Sequence, residues 1–178
     1  FEKGGHRLGG RQRHDALIVI RLRNARFFEK SRRGAGVPNE LAMSVSVFRR
    51  DAHNGSLSLL QTSSALEEAE PKIGMSMAAI RVHPKQPFVY ASIRGKDAIA
   101  LFAIQPDGRL KLIKNFPAEV KEPRDFAIDP SGQWLVAAGQ SSGDVTTLRV
   151  DPKTGLLTPS GYRVNIQKPV CIAFLPRR

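Results

Sequence analysis

The sequence is poor in cysteine and acidic residues and has no long apolar run. Cys171 is the only cysteine among 178 residues, which excludes an internal disulfide and a cysteine-rich zinc site. It precedes Ile172 in a repeated pattern, and no histidine pattern accompanies it, so we expect a buried structural thiol. No apolar run approaches the roughly 18 residues of a membrane span. Residues 16–20 are too short an apolar stretch for a secretory signal, so we expect a soluble cytoplasmic protein without a membrane partner.

A pattern recurs every 46 residues in the second half of the chain. Ile80, Phe126 and Ile172 are each 46 residues apart, and His83-Pro84 falls on Asp129-Pro130 at the same offset. A fixed period of roughly 20–50 residues indicates a solenoid, a propeller or an array. The repeated unit contains short alternating strands separated by turns, such as the Asn54-Gly55 turn, and this favours a β-propeller with four strands per blade.

The repeat predicts how the blades are distributed along the chain. We expect two complete four-stranded blades, the last part of a preceding blade and one inner strand of a further blade. These units cover residues 78–116, 124–164, 39–62 and 169–175, respectively. The predicted fold class is therefore all-β, a partial propeller of about three and a half four-stranded blades. Closed propellers contain ~4–8 blades, so the chain is predicted to be about half of a ring, either truncated or completed by assembly.

Residues 1–38 differ from the rest of the sequence. They hold 10 of the 28 Lys and Arg residues but only 3 of the 16 Asp and Glu residues, and so carry +7 of the net charge of +12. Such a segment could bind nucleic-acid phosphates, but it has no aromatic stacking pattern or recognition motif. We therefore predict a basic, non-propeller segment over 1–38, disordered or aberrant, with a partial propeller over 39–178, and we expect no nucleic-acid partner.

Several short motifs resemble those of one protein family. They are Asn39-Glu40-Leu41, Ile80-Arg81-Val82-His83-Pro84, Pro123-Arg124-Asp125-Phe126 and Ala138-Gly139-Gln140. Together they resemble the C-terminal half of the seven-bladed lactonase family, which includes the propeller-type 6-phosphogluconolactonases. The resemblance implies hydrolysis of a sugar-acid lactone in the pentose phosphate pathway, with no metal or other cofactor. The chain departs from the family pattern at Arg81, where His is common, and before Asn39, where the abrupt change suggests a shifted reading frame.

The resemblance also implies candidate site residues. Lactone hydrolysis needs an activated water, donors for the developing oxyanion and a cation for the anionic substrate. The candidate catalytic residues are Glu40, as general base, and Arg124, which follows Pro123 and is expected to face the axial channel. The candidate substrate-binding residues are Arg94, as a second cation, and Gln140, as a donor to the lactone carbonyl. In the alternative interpretation, Glu40 is a loop carboxylate paired with an arginine, and both arginines fasten adjacent blades.

Two functions from different classes remain at this point. The first is a lactone hydrolase acting on a small anionic lactone, weakly active or inactive at this length. The alternative is a non-catalytic propeller fragment that serves as an interaction module. In either case a partial ring leaves open blade faces, through which self-association is expected.

Overall fold

Three antiparallel sheets make up the part of the protein that the computed structural model describes, residues 34–51, 53–67 and 72–175. Blade 1 contains β1 (Gly34–Asn39), β2 (Ser44–Arg50) and β3 (Leu57–Ser64). Blade 2 contains β4 (Ser76–Val82), β5 (Phe88–Arg94), β6 (Ala98–Ile104) and β7 (Leu110–Pro117). Blade 3 contains β8 (Pro123–Ile128), β9 (Trp134–Gly139), β10 (Asp144–Val150) and β11 (Leu157–Asn165). None of the described residues is helical, which confirms the predicted all-β partial propeller.

The strand registers repeat with the period of the sequence. Phe88 pairs with Ala103 in blade 2, and Trp134 pairs with Arg149 in blade 3, so both partners are displaced by the same 46 residues. In each blade, every strand pairs with the strands that precede and follow it in the sequence, so the strand order runs from the inner to the outer strand. Residues 46 apart are therefore structurally equivalent in the first three strands of blades 2 and 3, and the two predicted blades are confirmed.

Aspartate side chains organise the tight turns between strands. Asp129 accepts backbone N–H bonds from Ser131, Gln133 and Trp134. These bonds, together with one from the Ser131 hydroxyl, outweigh the opposing effect of burial and lower the pKa of Asp129. Gly132 follows with a φ of +77°, a conformation that side chains with a Cβ adopt reluctantly. The sequence Asp-Pro-Ser-Gly thus reverses the chain between β8 and β9.

Two hydrophobic clusters lie between the blades. The cluster between blades 1 and 2 contains Val45 and Phe102, and the cluster between blades 2 and 3 contains Tyr90, Phe126 and Leu148. These side chains are at most 1% exposed, and burial of one such side chain contributes ~1.5–3 kcal/mol. Packing between blades therefore provides most of the apolar stabilisation.

Polar contacts connect blade 2 to blade 3 around the second cluster. The Tyr90 hydroxyl donates to the carbonyl oxygen of Gly155 at 2.8 Å, and burial raises the pKa of Tyr90. A Cβ placed on Gly155 would lie 2.9 Å from the Phe88 ring. Glycine at this position therefore lets the turn between β10 and β11 lie directly on the aromatic ring of the preceding blade.

The structure differs from the prediction at residues 169–175. The expected inner strand is not formed, because no neighbouring strand of its own sheet is available to pair with it among the described residues. The segment is nevertheless held beside β8, where the Ile172 backbone N–H donates to Asp125 Oδ2 at 2.9 Å. Cys171 is exposed. The expectation of a buried thiol was therefore wrong, since no blade within the described part of the chain covers this segment.

The first blade also extends further toward the N-terminus than predicted. Strand β1 begins at Gly34 and pairs with β2 through Pro38↔Val45 and Asn39↔Ser44. The last residues of the predicted non-propeller segment thus belong to blade 1. The predicted character of the rest of that segment falls on residues 1–33, outside the described residues. The described part of the chain contains no helix long and apolar enough to cross a membrane.

Candidate active site on one rim of the blades

The four candidate residues lie on the same rim of the three blades. Arg94 ends β5, and Glu40 and Gln140 directly follow β1 and β9, so each lies at the C-terminal end of the strand that precedes the last two strands of its blade. Arg124 is the second residue of β8, whose first residue, Pro123, pairs with the last residue of β9. Antiparallel pairing therefore brings all four to one side. Their chemical roles remain predictions.

Glu40 and Arg94 form an ion pair between blades 1 and 2. The Arg94 Nη2 group donates to Glu40 Oε1. The arginine side chain is only 15% exposed, whereas the carboxylate is 60% exposed and reaches the rim surface. Arg94 Nε is buried and has no hydrogen-bond partner among the described residues. The pair matches the interpretation in which Glu40 binds an arginine, and it also presents a carboxylate and a cation side by side.

The Arg124 side chain is exposed on this rim, and its guanidinium makes no hydrogen bond or ion pair with any of the described residues. Arg124 lies on the inner strand of blade 3, because β8 is the strand of that blade that contacts β4, the inner strand of blade 2. A free guanidinium presents a fork of donors that suits a phosphate or carboxylate. Arg124 therefore has both the position and the bonding capacity for an anionic ligand.

Gln140 borders an open groove of about 540 Å³ in blade 3. The groove is lined by Glu122, Gln140, Ser141, Ser142, Gly143, Asn165, Gln167 and Lys168. The Gln140 backbone N–H donates to the Glu122 carbonyl at 3.0 Å, which fixes the loop between β9 and β10 against the start of β8. The lining is rich in hydroxyl, amide and charged groups, so the groove suits a polar ligand rather than an apolar one.

Asp125 and Arg81 form a second charged pair on the inner strands, and the sequence prediction did not include Asp125. Arg81 Nη2 lies 2.6 Å from Asp125 Oδ1, and its Cζ atom lies 5.9 Å from the centre of the Phe126 ring. Asp125 is 6% exposed, and its other oxygen accepts the Ile172 N–H. Buried charges require partners. The opposite charges of Arg81 and Asp125 on two largely apolar inner strands could therefore have predicted this ion pair.

His83 lies at the opposite end of β4 from the candidate rim. Its Nδ1 accepts backbone N–H bonds from Lys85 and Gln86, which leaves the proton on Nε2 to donate to the Gly132 carbonyl at 2.8 Å. Burial lowers the pKa of His83. The residue therefore forms a turn and contacts blade 3, as its equivalence to Asp129 predicted. The described segments contain no group of three or more His, Cys, Asp or Glu side chains placed to hold a metal ion.

Most of the chain matches one known protein family. Residues 23–174 match the family described as Lactonase, 7-bladed beta-propeller. The chain belongs to this family. Its seven-bladed lactonase relatives include the 6-phosphogluconolactonase of Formosa agariphila, which is 38% identical over 134 residues, covering 74% of this chain and 36% of that protein.

Solved structures support the same membership. A protein from Lactobacillus plantarum superposes with a TM-score of 0.77 at 29% identity, over 81% of this chain and 42% of that one. The periplasmic gluconolactonase PpgL of Pseudomonas aeruginosa superposes with a TM-score of 0.74 at 29% identity, over 81% and 40%. The chain thus spans less than half the length of each of these proteins.

Proposed function

We propose that this chain supplies one part of a lactonase active site and acts in the hydrolysis of a sugar-acid lactone, 6-phosphogluconolactone. The observation that carries the proposal is the arrangement of Glu40, Arg94, Arg124 and Gln140 on one rim of three successive blades. Membership of the seven-bladed lactonase family and a relative named 6-phosphogluconolactonase support the choice of reaction.

Each residue has a distinct role in the proposed reaction. Arg124 binds the anionic group of the substrate through its unpaired guanidinium. An anion that competes for Arg94 releases Glu40 from its ion pair, and the freed carboxylate accepts a proton from the attacking water. Gln140 donates to the carbonyl oxygen as negative charge develops there. The lactone C–O bond then breaks and the ring oxygen takes up a proton, which yields the open-chain acid.

The chain alone is proposed to be weakly active or inactive. Catalysis depends on preorganised geometry, and the loss of orienting groups removes much of a rate enhancement. Three blades supply only the groups described above, and the chain covers 36% of one relative and 42% of another. Turnover therefore requires that further blades close the site.

Two further sequence predictions bear on this proposal. The non-catalytic interaction module is not favoured, because an unpaired arginine and an exposed carboxylate on one rim suit an anionic substrate. We propose a cytoplasmic location, since phosphorylated sugars are handled inside the cell. A structural relative is named a periplasmic gluconolactonase, so cell fractionation with an antibody against this chain is the direct test.

The experiment measures lactone hydrolysis above the spontaneous rate, with the chain mixed with the N-terminal half of a full-length relative. Glu40→Gln and Arg124→Ala should each lower the rate by ~10²–10⁴-fold, because they remove the base and the free cation. The control is Arg109→Ala, which changes an exposed arginine paired with Asp107 in a turn of blade 2. Equal rates for all three variants would contradict the assigned roles.

A further inference from the structure

The inner strand of blade 3 has one extra residue at the candidate rim. The register with β9 runs from the pair Pro123↔Gly139 directly to the pair Asp125↔Ala138. Arg124 therefore lies between two paired positions and has no partner of its own in β9. Such a residue is the extra member of a β-bulge, where the ladder of backbone hydrogen bonds is interrupted. The direction of the Arg124 side chain thus depends on its two neighbours in the sequence.

Both neighbours of Arg124 are held in place. Pro123 is buried, and its ring restricts φ. Asp125 is 6% exposed, and both oxygens of its carboxylate are bonded. Oδ1 lies 2.6 Å from Arg81 Nη2 on the inner strand of blade 2, and Oδ2 accepts the Ile172 backbone N–H at 2.9 Å. The carboxylate therefore connects β8 to two other segments of the chain.

Arg81 is itself fixed where it holds Asp125. Its Nη1 group donates to the Ile80 carbonyl at 2.9 Å, and its Cζ atom lies 5.9 Å from the centre of the Phe126 ring. A planar guanidinium that is bonded at two nitrogens and lies near an aromatic ring has few alternative orientations. The contact between blade 2 and Asp125 is therefore well defined.

Blade 2 forms the same irregularity without a charged residue. Strand β4 also has one extra residue in its register with β5. There Ala78 and Ala79 occupy the positions of Arg124 and Asp125, and the Ala79 backbone N–H donates to the Ser92 hydroxyl at 2.9 Å. An inner strand of this fold thus forms its bulge with two alanines. The bulge itself does not require a buried carboxylate.

The buried charge of Asp125 therefore needs an explanation other than folding. Taking a charge out of water costs free energy that an ion pair repays only in part, so a buried pair is weak evidence for stability. The arginine and the carboxylate occur side by side in blade 3, and alanines replace both in blade 2. The carboxylate is thus present where the candidate arginine is present and absent where it is absent.

We propose that Asp125 is a positioning residue that fixes the direction of the Arg124 guanidinium toward the anionic group of the ligand. Arg81 and the Ile172 N–H hold the carboxylate, and the carboxylate holds the backbone on one side of the bulge. This inference rests on the proposed function of Arg124, since Asp125 acts through Arg124 and does not touch the ligand. Loss of the carboxylate should therefore weaken anion binding only while Arg124 is present.

A double-mutant cycle on ligand binding tests this dependence. The probe is 6-phosphogluconate, the product of the proposed reaction, titrated into the full chain by calorimetry. Arg124→Ala should raise the Kd about 10-fold, because it removes charged hydrogen bonds to the ligand. Asp125→Asn should raise it about 3–10-fold, the cost of ordering one long side chain that is no longer preorganised. In the Arg124→Ala background, Asp125→Asn should change the Kd less than about 2-fold.

Two further variants separate positioning from a general loss of structure. Arg81→Gln removes the partner of Asp125 and should weaken binding in the same direction, again only while Arg124 is present, so it provides the test if the Asp125 variant does not fold. The matched control is Asp129→Asn, at the other end of β8, where Asp129 accepts backbone bonds in a turn. It should lower thermal stability and change the Kd less than about 2-fold.

The anchor can also be measured without any ligand. Amide hydrogen exchange at Ile172 should be at least about 10-fold faster in Asp125→Ala, because the N–H loses its acceptor. Exchange at Ile166, whose N–H donates to the Gly143 carbonyl, should not change. Equal exchange at Ile172 in both proteins would overturn the proposal.

The binding results distinguish a failure of this inference from a failure of the proposed function. If the unmodified chain does not bind the probe, or if Arg124→Ala leaves the Kd unchanged, the proposed function of Arg124 is wrong and this inference falls with it. If Arg124→Ala weakens binding but Asp125→Asn does not, or if Asp125→Asn weakens it equally in both backgrounds, only the positioning role is wrong.

Discussion

The first three strands of blade 2 and of blade 3 pair in the same register, yet the same positions are buried in one blade and exposed in the other. Tyr90 is fully buried between blades, whereas its equivalent, Val136, is only half-buried. This difference in burial arises because blade 3 packs on Tyr90, and not from the strands of blade 2 themselves. In this fold, a position contributes to stability according to which blade covers it, and the blade interface is therefore the unit in which mutations should be compared.

The largest expected contrast is between Phe126 and Ile172, which occupy the same repeat position. Phe126 is fully buried between blades 2 and 3, whereas Ile172 lies in an unpaired segment and is half-buried. Phe126→Ala should lower the free energy of unfolding by ~3–5 kcal/mol, because it leaves a cavity. Ile172→Ala should lower it by less than about 1 kcal/mol. Urea unfolding at concentrations where the chain is monomeric measures both free energies. Similar losses of unfolding free energy in the two variants would show that burial between blades does not determine how much a substitution destabilises the protein.

Two glycines with the same backbone conformation provide the next contrast. Gly155→Ala introduces both backbone strain and a contact of 2.9 Å with Phe88, whereas Gly55→Ala introduces only the strain. The strain costs ~1–2 kcal/mol in each, and the overpacking should add ~1–3 kcal/mol at Gly155. The same dilute urea experiment measures the difference. Equal destabilisation would mean that the turn does not press on the ring.

A smaller effect is expected from the hydrogen bond that crosses the interface. Tyr90→Phe removes the donor to the Gly155 carbonyl and leaves the ring in place. The buried carbonyl then lacks this partner, so the free energy of unfolding should fall by ~1–2 kcal/mol. Tyr162→Phe is the matched control, because Tyr162 is 77% exposed, and it should change nothing measurable.

The smallest effect concerns the turns that hold His83 and Asp129. Burial lowers the pKa of His83 in the folded protein, so the unfolded chain binds a proton first as pH falls. Its contribution to stability is therefore complete above about pH 6.5 and declines below it, by at most about 1.4 kcal/mol per pH unit. His83→Asp should abolish the slope between pH 5 and 7 in thermal melts, since the equivalent Asp129 has a lowered pKa and loses stability only below about pH 4. An unchanged pH dependence of stability in the variant would mean that groups other than His83 cause it.

The strands and turns of blades 2 and 3 could be predicted because the repeat specifies them twice. The pairs Phe88–Ala103 and Trp134–Arg149 carry the same apolar alternation and the same flanking turns. The third instance, residues 169–175, has the pattern but no sheet partner, and a strand forms only by pairing. The exposure of Cys171 has the same cause, since burial depends on a covering blade that the local sequence does not specify.

The family resemblance predicted the candidate residues, but it did not specify most of their contacts. The sequence allowed Glu40 to pair with an arginine, whereas the identity of that partner, Arg94, depends on how blades 1 and 2 pack. The Arg81–Asp125 pair was missed for a related reason. Arg81 and Asp125 are 44 residues apart on the inner strands of two blades, so their contact also depends on how the blades pack.

The requirement for further blades is tested by the rate of 6-phosphogluconolactone hydrolysis per chain, measured together with mass in solution as the protein is diluted. We expect no turnover above the spontaneous rate where the mass is that of one chain, because three blades hold only part of the proposed site. Turnover should appear only where a larger ring forms. Clear turnover by the single chain, abolished by Arg124→Ala, would contradict the claim that the site needs further blades.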